Sequence, residues 1–195
     1  MLTVGLKRRR LLQLGLGGAL AVAAGGGALR FFAGGYAAHL APSEVPVALS
    51  AKELAVVKAF VAALLPAEDG LPSGVALGVH QRIDEEAWAA SEGTRGDLKN
   101  GLQLFEHATI AHGFGSRFTA LGAAARLAYV DKLLRAEPGA LQQIAVALKE
   151  LAYLFYYVCP ETWGPIGYDG PLVGAAKPPD SHVAYQDLLG RRRAS

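Results

Sequence analysis

Apolar residues recur at helical spacing through most of the chain, and this pattern constrains the fold more than any other feature. One stripe follows Ser50-Ala51-Lys52-Glu53, a sequence typical of a capping box, in which serine and glutamate close the start of a helix. Four further segments show the same period: about 75–91, 97–112, 123–136 and 138–158. The pattern predicts an all-α domain, a small bundle of about five helices.

The segments on either side of these helices predict the domain organisation. Residues 1–41 have the character of a targeting segment, and residues 42–49, which contain Pro42 and Pro46, are predicted to form a flexible linker. We therefore place the helical domain at residues 50–195. Prolines and glycines concentrate after about residue 159, so the end of this domain is predicted to be an irregular tail.

The N-terminus has the features of a twin-arginine export signal. Arg8 and Arg9 stand shortly before Leu11 and Leu12, in a basic cluster that precedes a long apolar run. Glycines and alanines dilute this run, which favours twin-arginine export over the general secretory route. A permanent transmembrane anchor is the alternative, because about 20 mostly apolar residues suffice to span a bilayer.

Composition and charge exclude several classes of function. Nineteen basic and seventeen acidic residues give a net charge of +2, but seven of the basic residues cluster at the two chain ends. The body keeps twelve basic residues against seventeen acidic ones, so it lacks the basic patch that nucleic-acid binding requires. The single cysteine, Cys159, excludes a disulfide within the chain and a covalent haem-attachment motif.

No spacing of polar residues indicates a catalytic or metal site. His107 and His112 are neighbours in sequence, but five residues place them on different sides of a helix. His80 and His182 stand alone, and the acidic run Asp84-Glu85-Glu86 is typical of a solvated helix face. We therefore expect this chain to contain no catalytic residue, no metal ligand and no cofactor-binding residue.

The octet 151–158 is apolar or aromatic on every side. A helix of that kind must be covered on every side. Either the domain's own core covers it, or one side contacts another protein, for which tyrosines provide amphipathic contact area. The sequence leaves both interpretations open.

Three motifs follow one another between Leu151 and Leu172. The pair Tyr156-Tyr157 leads to Cys159-Pro160-Glu161-Thr162-Trp163 and then to Ile166-Gly167-Tyr168-Asp169-Gly170-Pro171. Together they resemble the C-terminal signature of the gluconate 2-dehydrogenase subunit 3 family, and residues 118–126 are similar to the family's mid-chain helix start. The chain departs from the family pattern at its cysteine, where an aspartate-like polar residue is common.

The resemblance implies a non-catalytic small subunit of a membrane-associated flavin dehydrogenase for sugars or alcohols. Family members accompany a large flavin-dependent subunit of the GMC type, which holds FAD, and often a multi-haem cytochrome c. The small subunit carries the twin-arginine signal, and the folded large subunit is exported with it. The resemblance thus implies a chaperone-like escort in the periplasm, at the inner membrane. A membrane-anchored helical protein unrelated to a dehydrogenase is the alternative.

Five residues of the C-terminal motifs are predicted to contact the partner: Tyr156, Tyr157, Cys159, Trp163 and Tyr168. Prolines and glycines restrict the chain around Trp163 and Tyr168, and such aromatic residues are typical interface anchors. The alternative for Trp163 is that it fills the domain's own core. For Cys159 three states remain open, namely a disulfide to the partner, a buried thiol and an exposed reactive thiol.

Overall fold

The computed structural model describes residues 35–171, 178 and 180–194, and in these residues the protein is all-α, as predicted. The α-helices in this part of the chain are α1 (Ala51–Leu64), α2 (Val79–Ala89), α3 (Glu92–Ala108), α4 (Ala123–Leu134), α5 (Ala140–Tyr157) and α6 (Asp180–Ala194). Short 3₁₀ turns lie at Tyr36–His39, Phe118–Ala120, Pro160–Thr162 and Gly164–Ile166. The predicted export signal, with Arg8, Arg9, Leu11 and Leu12, lies outside the described residues.

Helix α1 lies at the centre of the helical bundle. It begins with the predicted capping box: the Ser50 hydroxyl accepts the Glu53 amide, and the Glu53 carboxylate accepts the Ser50 amide at 2.7 Å. Leu54, Val57 and Phe60 are at most 1% exposed, because α2, α3, α4 and α5 all pack around this helix. A helix covered on several sides can be apolar on several sides, as its sequence is.

Phe105 of α3 is the hub of the aromatic core. Its ring centroid lies 5.7 Å from that of Phe60, 4.8 Å from that of Phe118 and 5.1 Å from that of Tyr129, in edge-to-face geometry. The Tyr129 hydroxyl donates to the Phe105 carbonyl at 3.2 Å, which satisfies the polar end of a fully buried ring. These contacts join α1, α3 and α4 on one side of the bundle.

Helices α2 and α3 begin at other positions than the apolar period predicted. Helix α2 starts after Gly78, whose φ of 70° is a left-handed conformation that ends the preceding turn. Helix α3 starts at Glu92, ahead of the predicted residue 97, because the Ser91 hydroxyl accepts the Thr94 amide at 3.2 Å. The Arg95 side chain donates to the last carbonyls of α2 and closes the corner between the two helices.

The segment 42–49 packs on the domain and does not form the flexible linker that the prolines suggested. Residues from Ala37 onward belong to one compact unit. The amides of Val47 and Leu49 donate to the Asp84 carboxylate at 2.8 and 2.7 Å, and the Leu49 side chain is buried in the core. These long-range bonds, which the local sequence does not predict, fix the segment.

The C-terminal tail, predicted to be irregular, contains a helix. Residues 180–194 form α6, which the sequence analysis did not predict. Its buried side chains are Tyr185 and Leu189, and this single pair is too short a stripe to indicate a helix from sequence. Asp180 in the first turn and Arg191 in the last have the charges that complement a helix dipole.

Candidate partner interface

The last two turns of α5 have one buried side and one exposed side. Ala152, Phe155 and Tyr156 face the core and are at most 9% exposed. The following side chains on the other side are 38–57% exposed: Tyr153, Leu154, Tyr157 and Val158. Within this set, residues four positions apart are neighbours on the helix, so the exposed side chains form one stripe. The domain's own core therefore covers half of the octet and leaves the other half to solvent.

Two 3₁₀ turns follow α5 and are held to its end by hydrogen bonds. The Thr162 side chain is fully buried, and its hydroxyl donates to the Cys159 carbonyl at 2.8 Å. The Tyr168 amide donates to the Trp163 carbonyl at 2.9 Å and closes the second turn. Pro160 occupies the first position of the first turn, where a missing amide costs no hydrogen bond. The motif is thus a compact turn and not an extended tail.

Trp163 connects this turn to the helix. Its indole Nε1 donates to the Tyr157 carbonyl at 2.9 Å, and its ring packs edge-to-face on Tyr168 with 5.4 Å between centroids. Gly170, at φ 99°, lies so close that a Cβ there would be 3.0 Å from the indole ring. Trp163 is half-buried within its own turn and lies outside the core cluster of the domain. The alternative that it fills the domain core is therefore wrong.

Ile166 and Tyr168 extend the exposed stripe of α5 beyond the helix. They are 48% and 47% exposed, and Trp163 joins them to Tyr157. We define the aromatic surface as Tyr153, Leu154, Tyr157, Val158, Ile166 and Tyr168. Single exposed apolar residues are common on any protein, whereas several grouped together make this surface a candidate interaction site.

Tyr156 does not belong to the predicted interface. Its side chain is 2% exposed, and its hydroxyl donates to the Pro72 carbonyl at 2.7 Å. Burial raises the pKa of this phenol, in keeping with a hydroxyl that stays protonated. Tyr156 is therefore a core residue, and the prediction that it contacts a partner is wrong. Its neighbour Tyr157 is 44% exposed because successive residues on a helix point about 100° apart.

Four members of the aromatic surface were not predicted from the sequence: Tyr153, Leu154, Val158 and Ile166. A signal was present for the two helical residues, because Tyr153 precedes Tyr157 by four positions and Leu154 precedes Val158 by four. The Tyr153 and Tyr157 ring centroids are 6.1 Å apart, as this spacing allows. Sequence alone could not tell which side of the octet the core would cover.

Cys159 lies half-buried at the end of α5. Its Sγ donates to the Phe155 carbonyl at 3.3 Å, which is a typical position for a side chain at a helix C-terminus. Burial, with a smaller effect of the Glu161 carboxylate, raises the pKa of this thiol. A raised pKa lowers the thiolate fraction, and the thiolate is the reactive form. These features favour a buried, unreactive thiol among the three states considered.

An apolar groove lies between α2, α3 and α5. This groove has a volume of about 750 Å³, and Leu98, Ile144 and Leu151 are among the side chains that line it. Gly101 brings α3 close to α5, since a Cβ there would lie 3.0 Å from the Ile144 side chain. Leu151 is one turn before the exposed Leu154, so the groove approaches the aromatic surface.

The acidic run of α2 is a second correction, because most of it is buried. Asp84 is 1% exposed and Glu85 8% exposed, and of the three residues Glu86 alone faces solvent. The Asp84 carboxylate accepts three main-chain amides, from residues 47, 48 and 49, and the hydroxyl of Tyr185 at 2.8 Å. Four donors compensate for the burial of this charge. The run therefore has a structural role and is not a solvated face.

Two histidines that stand alone in the sequence also have acidic partners in the fold. His80 Nε2 lies 2.8 Å from the Glu44 carboxylate, which also accepts the Lys58 ammonium at 2.6 Å. Burial lowers the pKa of His80, although the Glu44 charge opposes this effect. His182 Nδ1 likewise bonds to the Glu85 carboxylate.

A further polar cluster lies where α1 meets α3. Lys52 Nζ is 2.9 Å from His107 Nε2, so the neutral imidazole accepts a hydrogen bond from the ammonium. Burial and the charges of Lys52 and Arg117 lower the pKa of His107 to about 4. Nearby, the fully buried Glu106 carboxylate accepts the amide and the hydroxyl of Thr119 at 3.0 and 2.6 Å. These bonds hold helices together and present no open site.

In residues 35–171, 178 and 180–194, no three His, Cys, Asp or Glu side chains are grouped so that they could hold a metal ion. None of the helices in the same residues has both the length and the apolar character needed to cross a membrane.

Comparison with known proteins identifies the family of the chain. A family model described as Gluconate 2-dehydrogenase subunit 3 matches residues 51–170. The matched range contains α1 to α5 and the whole aromatic surface, and it excludes both the segment 42–49 and helix α6. No curated protein and no solved structure matches the chain.

Proposed function

We propose that this chain, which belongs to the gluconate 2-dehydrogenase subunit 3 family, is the non-catalytic small subunit and export escort of a periplasmic FAD-dependent sugar or alcohol dehydrogenase at the inner membrane. Membership of the family supports an accessory subunit of a dehydrogenase complex. In this proposal FAD lies in a large GMC-type subunit, and a multi-haem cytochrome c is the third subunit where one is present. The chain itself binds no cofactor.

The observation that carries the proposal is the aromatic surface. Complete burial of a leucine side chain stabilises an assembly by about 1.5–3 kcal/mol, and here several apolar side chains keep about half of their surface in water. Trp163 bonds to the Tyr157 carbonyl and packs on the Tyr168 ring, which holds the turn against α5 and lowers the conformational freedom that this turn loses when a partner binds. A rigid group of exposed aromatic residues fits a permanent protein partner, and the large subunit is the partner that the family offers.

The export part of the proposal depends on the N-terminal sequence. Arg8 and Arg9 stand before a weakly apolar run, the arrangement of a twin-arginine signal. A chain with such a signal and a preformed surface for a partner is suited to carry that partner with it. This reasoning supports an escort more than an independent exported protein.

Purification tests the partner. A tagged full-length chain is isolated from membranes of its native cell, and co-purifying subunits are identified by flavin fluorescence, haem absorbance and mass spectrometry. We expect a large flavin subunit in stoichiometric amount. Isolation of the chain without any flavoprotein would support the alternative of a helical membrane protein unrelated to a dehydrogenase.

Substitution of the arginine pair tests the escort role. In the double variant Arg8→Lys/Arg9→Lys we expect both this chain and the large subunit to remain in the cytoplasm, measured by cell fractionation. Lys7→Arg is the matched control, because it preserves the basic cluster and leaves the pair intact. A large subunit that still reaches the periplasm with the double variant would show that this chain is not its escort.

A further inference from the structure

The two chain segments that flank the family-matched region meet each other on α2. The segment 43–49 precedes residues 51–170, and α6 follows them. Both lie in the compact unit that begins at Ala37, and α6 packs on α2. The contact therefore joins two parts of this chain that the family match does not include.

The Asp84 carboxylate of α2 binds both segments at once. Its Oδ2 accepts the Val47 amide at 2.8 Å and the Tyr185 hydroxyl at 2.8 Å, while its Oδ1 accepts the Leu49 amide at 2.7 Å. Asp84 is 1% exposed and Tyr185 is 2% exposed, so these bonds are shielded from water. A bond to a buried charge is stronger than one between neutral groups.

Two arginines of α6 bind the segment directly. Arg192 donates to the Pro46 carbonyl at 2.6 Å, and Arg193 donates to the Ser43 carbonyl at 3.0 Å. The neighbouring Arg191 instead pairs with Asp187 of its own helix at 2.7 Å. The end of α6 thus binds two main-chain carbonyls of the segment.

The first turns of α6 are anchored on α2 by separate contacts. His182 bonds to the Glu85 carboxylate, which also accepts Arg82 at 2.8 Å. The Tyr185 ring packs 6.1 Å from that of Trp88, and Leu189 is 5% exposed. Helix α6 is therefore a docked element that has its own apolar anchor.

We propose that α6 is a latch that closes on the segment 43–49 once α6 has folded onto α2. The segment follows the predicted export signal, and α6 is synthesised after the family-matched region. The junction beside the signal therefore becomes ordered when α6 has docked. This coupling of export to docking of α6 rests on the export role proposed above, whereas the latch itself is a property of the fold.

Hydrogen exchange of the full-length chain tests the latch. In Tyr185→Ala/Leu189→Ala, which undocks α6, we expect the amides of Val47 and Leu49 to exchange at least ten-fold faster. Tyr185→Phe keeps the ring packing and removes one bond to Asp84, so we expect exchange to rise by roughly ten-fold, the effect of losing a hydrogen bond to a charged group. Unchanged exchange in both variants would overturn the latch.

A matched pair of surface variants separates the direct contacts from general effects of charge. Arg192→Ala/Arg193→Ala removes the donors to Pro46 and Ser43, and we expect protease cleavage within residues 43–49 to become several-fold faster. Arg191→Ala removes a neighbouring arginine that does not contact the segment, and we expect cleavage at the wild-type rate. Equal acceleration by both variants would contradict the role of Arg192 and Arg193.

Fractionation of the same variants tests the coupling to export. With Tyr185→Phe and Arg192→Ala/Arg193→Ala we expect less of this chain and its partner in the periplasm, in proportion to the increase in exchange. Faster exchange with unchanged export, while Arg8→Lys/Arg9→Lys still blocks export, overturns the coupling and leaves the escort role intact. If the arginine-pair variant also exports normally, the escort role fails, and the exchange data decide on the latch alone.

Discussion

Helix α2 and the end of helix α5 both depart from the usual distribution, in which ionisable side chains face water and apolar side chains face the core. Helix α2 buries ionisable groups, whereas the end of α5 exposes apolar ones. On α2, ionisable groups such as Asp84 and His80 are almost completely buried. On the last turns of α5, apolar groups such as Leu154 and Tyr157 are about half exposed. Both arrangements cost free energy in an isolated domain. The two regions differ in whether contacts within the chain offset this cost.

The buried groups of α2 are compensated within the chain. Asp84 has four donors, and the Nε2 of His80 has the Glu44 carboxylate, whereas the buried Nδ1 of His80 has no hydrogen-bond partner among the described residues. The exposed groups of the aromatic surface have no such compensation among the described residues, because an apolar side chain gains free energy only by leaving water. The comparison indicates that α2 is a structural element, and it supports the proposal that the aromatic surface binds a partner.

The largest effect is expected from Asp84→Ala, which removes the shared acceptor of three amides and one hydroxyl. We expect the free energy of unfolding, measured by urea denaturation, to fall by about 3–5 kcal/mol, because four donors lose their acceptor and each unsatisfied buried donor costs about 1–3 kcal/mol. Asp84→Asn keeps one carbonyl oxygen and should cost clearly less. A loss of under about 1 kcal/mol in the alanine variant would mean that α2 is not the structural element described here.

The aromatic surface should respond in the opposite way, through binding and not through stability. We expect Tyr157→Ala to weaken association with the large subunit by about 2 kcal/mol, roughly 30-fold, as is typical of an aromatic hot spot. The Tyr157 carbonyl that holds Trp163 remains. The unfolding free energy should change by about 0.5 kcal/mol or less.

Leu127→Ala is the matched control for Tyr157→Ala, because Leu127 is 43% exposed on α4, away from the aromatic surface. Binding can be measured by titration of each purified variant into the large subunit. Similar losses for Tyr157→Ala and Leu127→Ala would remove the distinction between the aromatic surface and ordinary exposed leucines.

The polar interior should also show a dependence on pH. The pKa of His107 is lowered to about 4, so below pH 6.5 the unfolded chain binds a proton that the folded chain does not. Stability should therefore fall as the pH decreases from 6.5 to 4. Because the ring is partly solvated, we expect this contribution to be about 1 kcal/mol.

Urea denaturation at several pH values measures this effect for the wild type and for His107→Gln. The glutamine variant should have a flatter profile over the same range, since it has no titrating group at this position. Parallel profiles of the two proteins would exclude His107 as a source of acid lability.

A smaller effect is expected from Trp163→Phe, which keeps an aromatic ring against Tyr168 and removes the donor to the Tyr157 carbonyl. We expect partner affinity to fall by about 1 kcal/mol, the net value of one hydrogen bond, because the turn becomes less rigid. A titration with the large subunit measures it. A loss as large as that of Tyr157→Ala would mean that Trp163 itself contacts the partner.

Cys159 should give the smallest effect. Its bond to the Phe155 carbonyl and the raised pKa of its thiol favour a free, unreactive side chain. On a non-reducing gel of the purified complex we expect the subunit to migrate alone, as it does with Cys159→Ser. A heavier band that disappears with reductant and is absent in the serine variant would instead establish a disulfide to the large subunit.

Local signals in the sequence were sufficient for much of the helical bundle. The capping box of Ser50 and Glu53 fixed the start of α1, and α4 begins at Ala123, as the apolar period predicted. Such features could be predicted because they depend on residues within a few positions of one another. The C-terminal motif was recognisable for the same reason, since its prolines, glycines and aromatics lie within a short stretch.

Tertiary contacts decided the features that have no local signature. Tyr156 and Tyr157 are identical neighbours in the sequence, yet one is 2% and the other 44% exposed, because the core lies on one side of α5. Asp84 belongs to an ordinary acidic run until the amides of residues 47–49 and the hydroxyl of Tyr185 approach it. Those donors lie 35 to 101 positions away in the sequence, so the residues around Asp84 could not predict these hydrogen bonds.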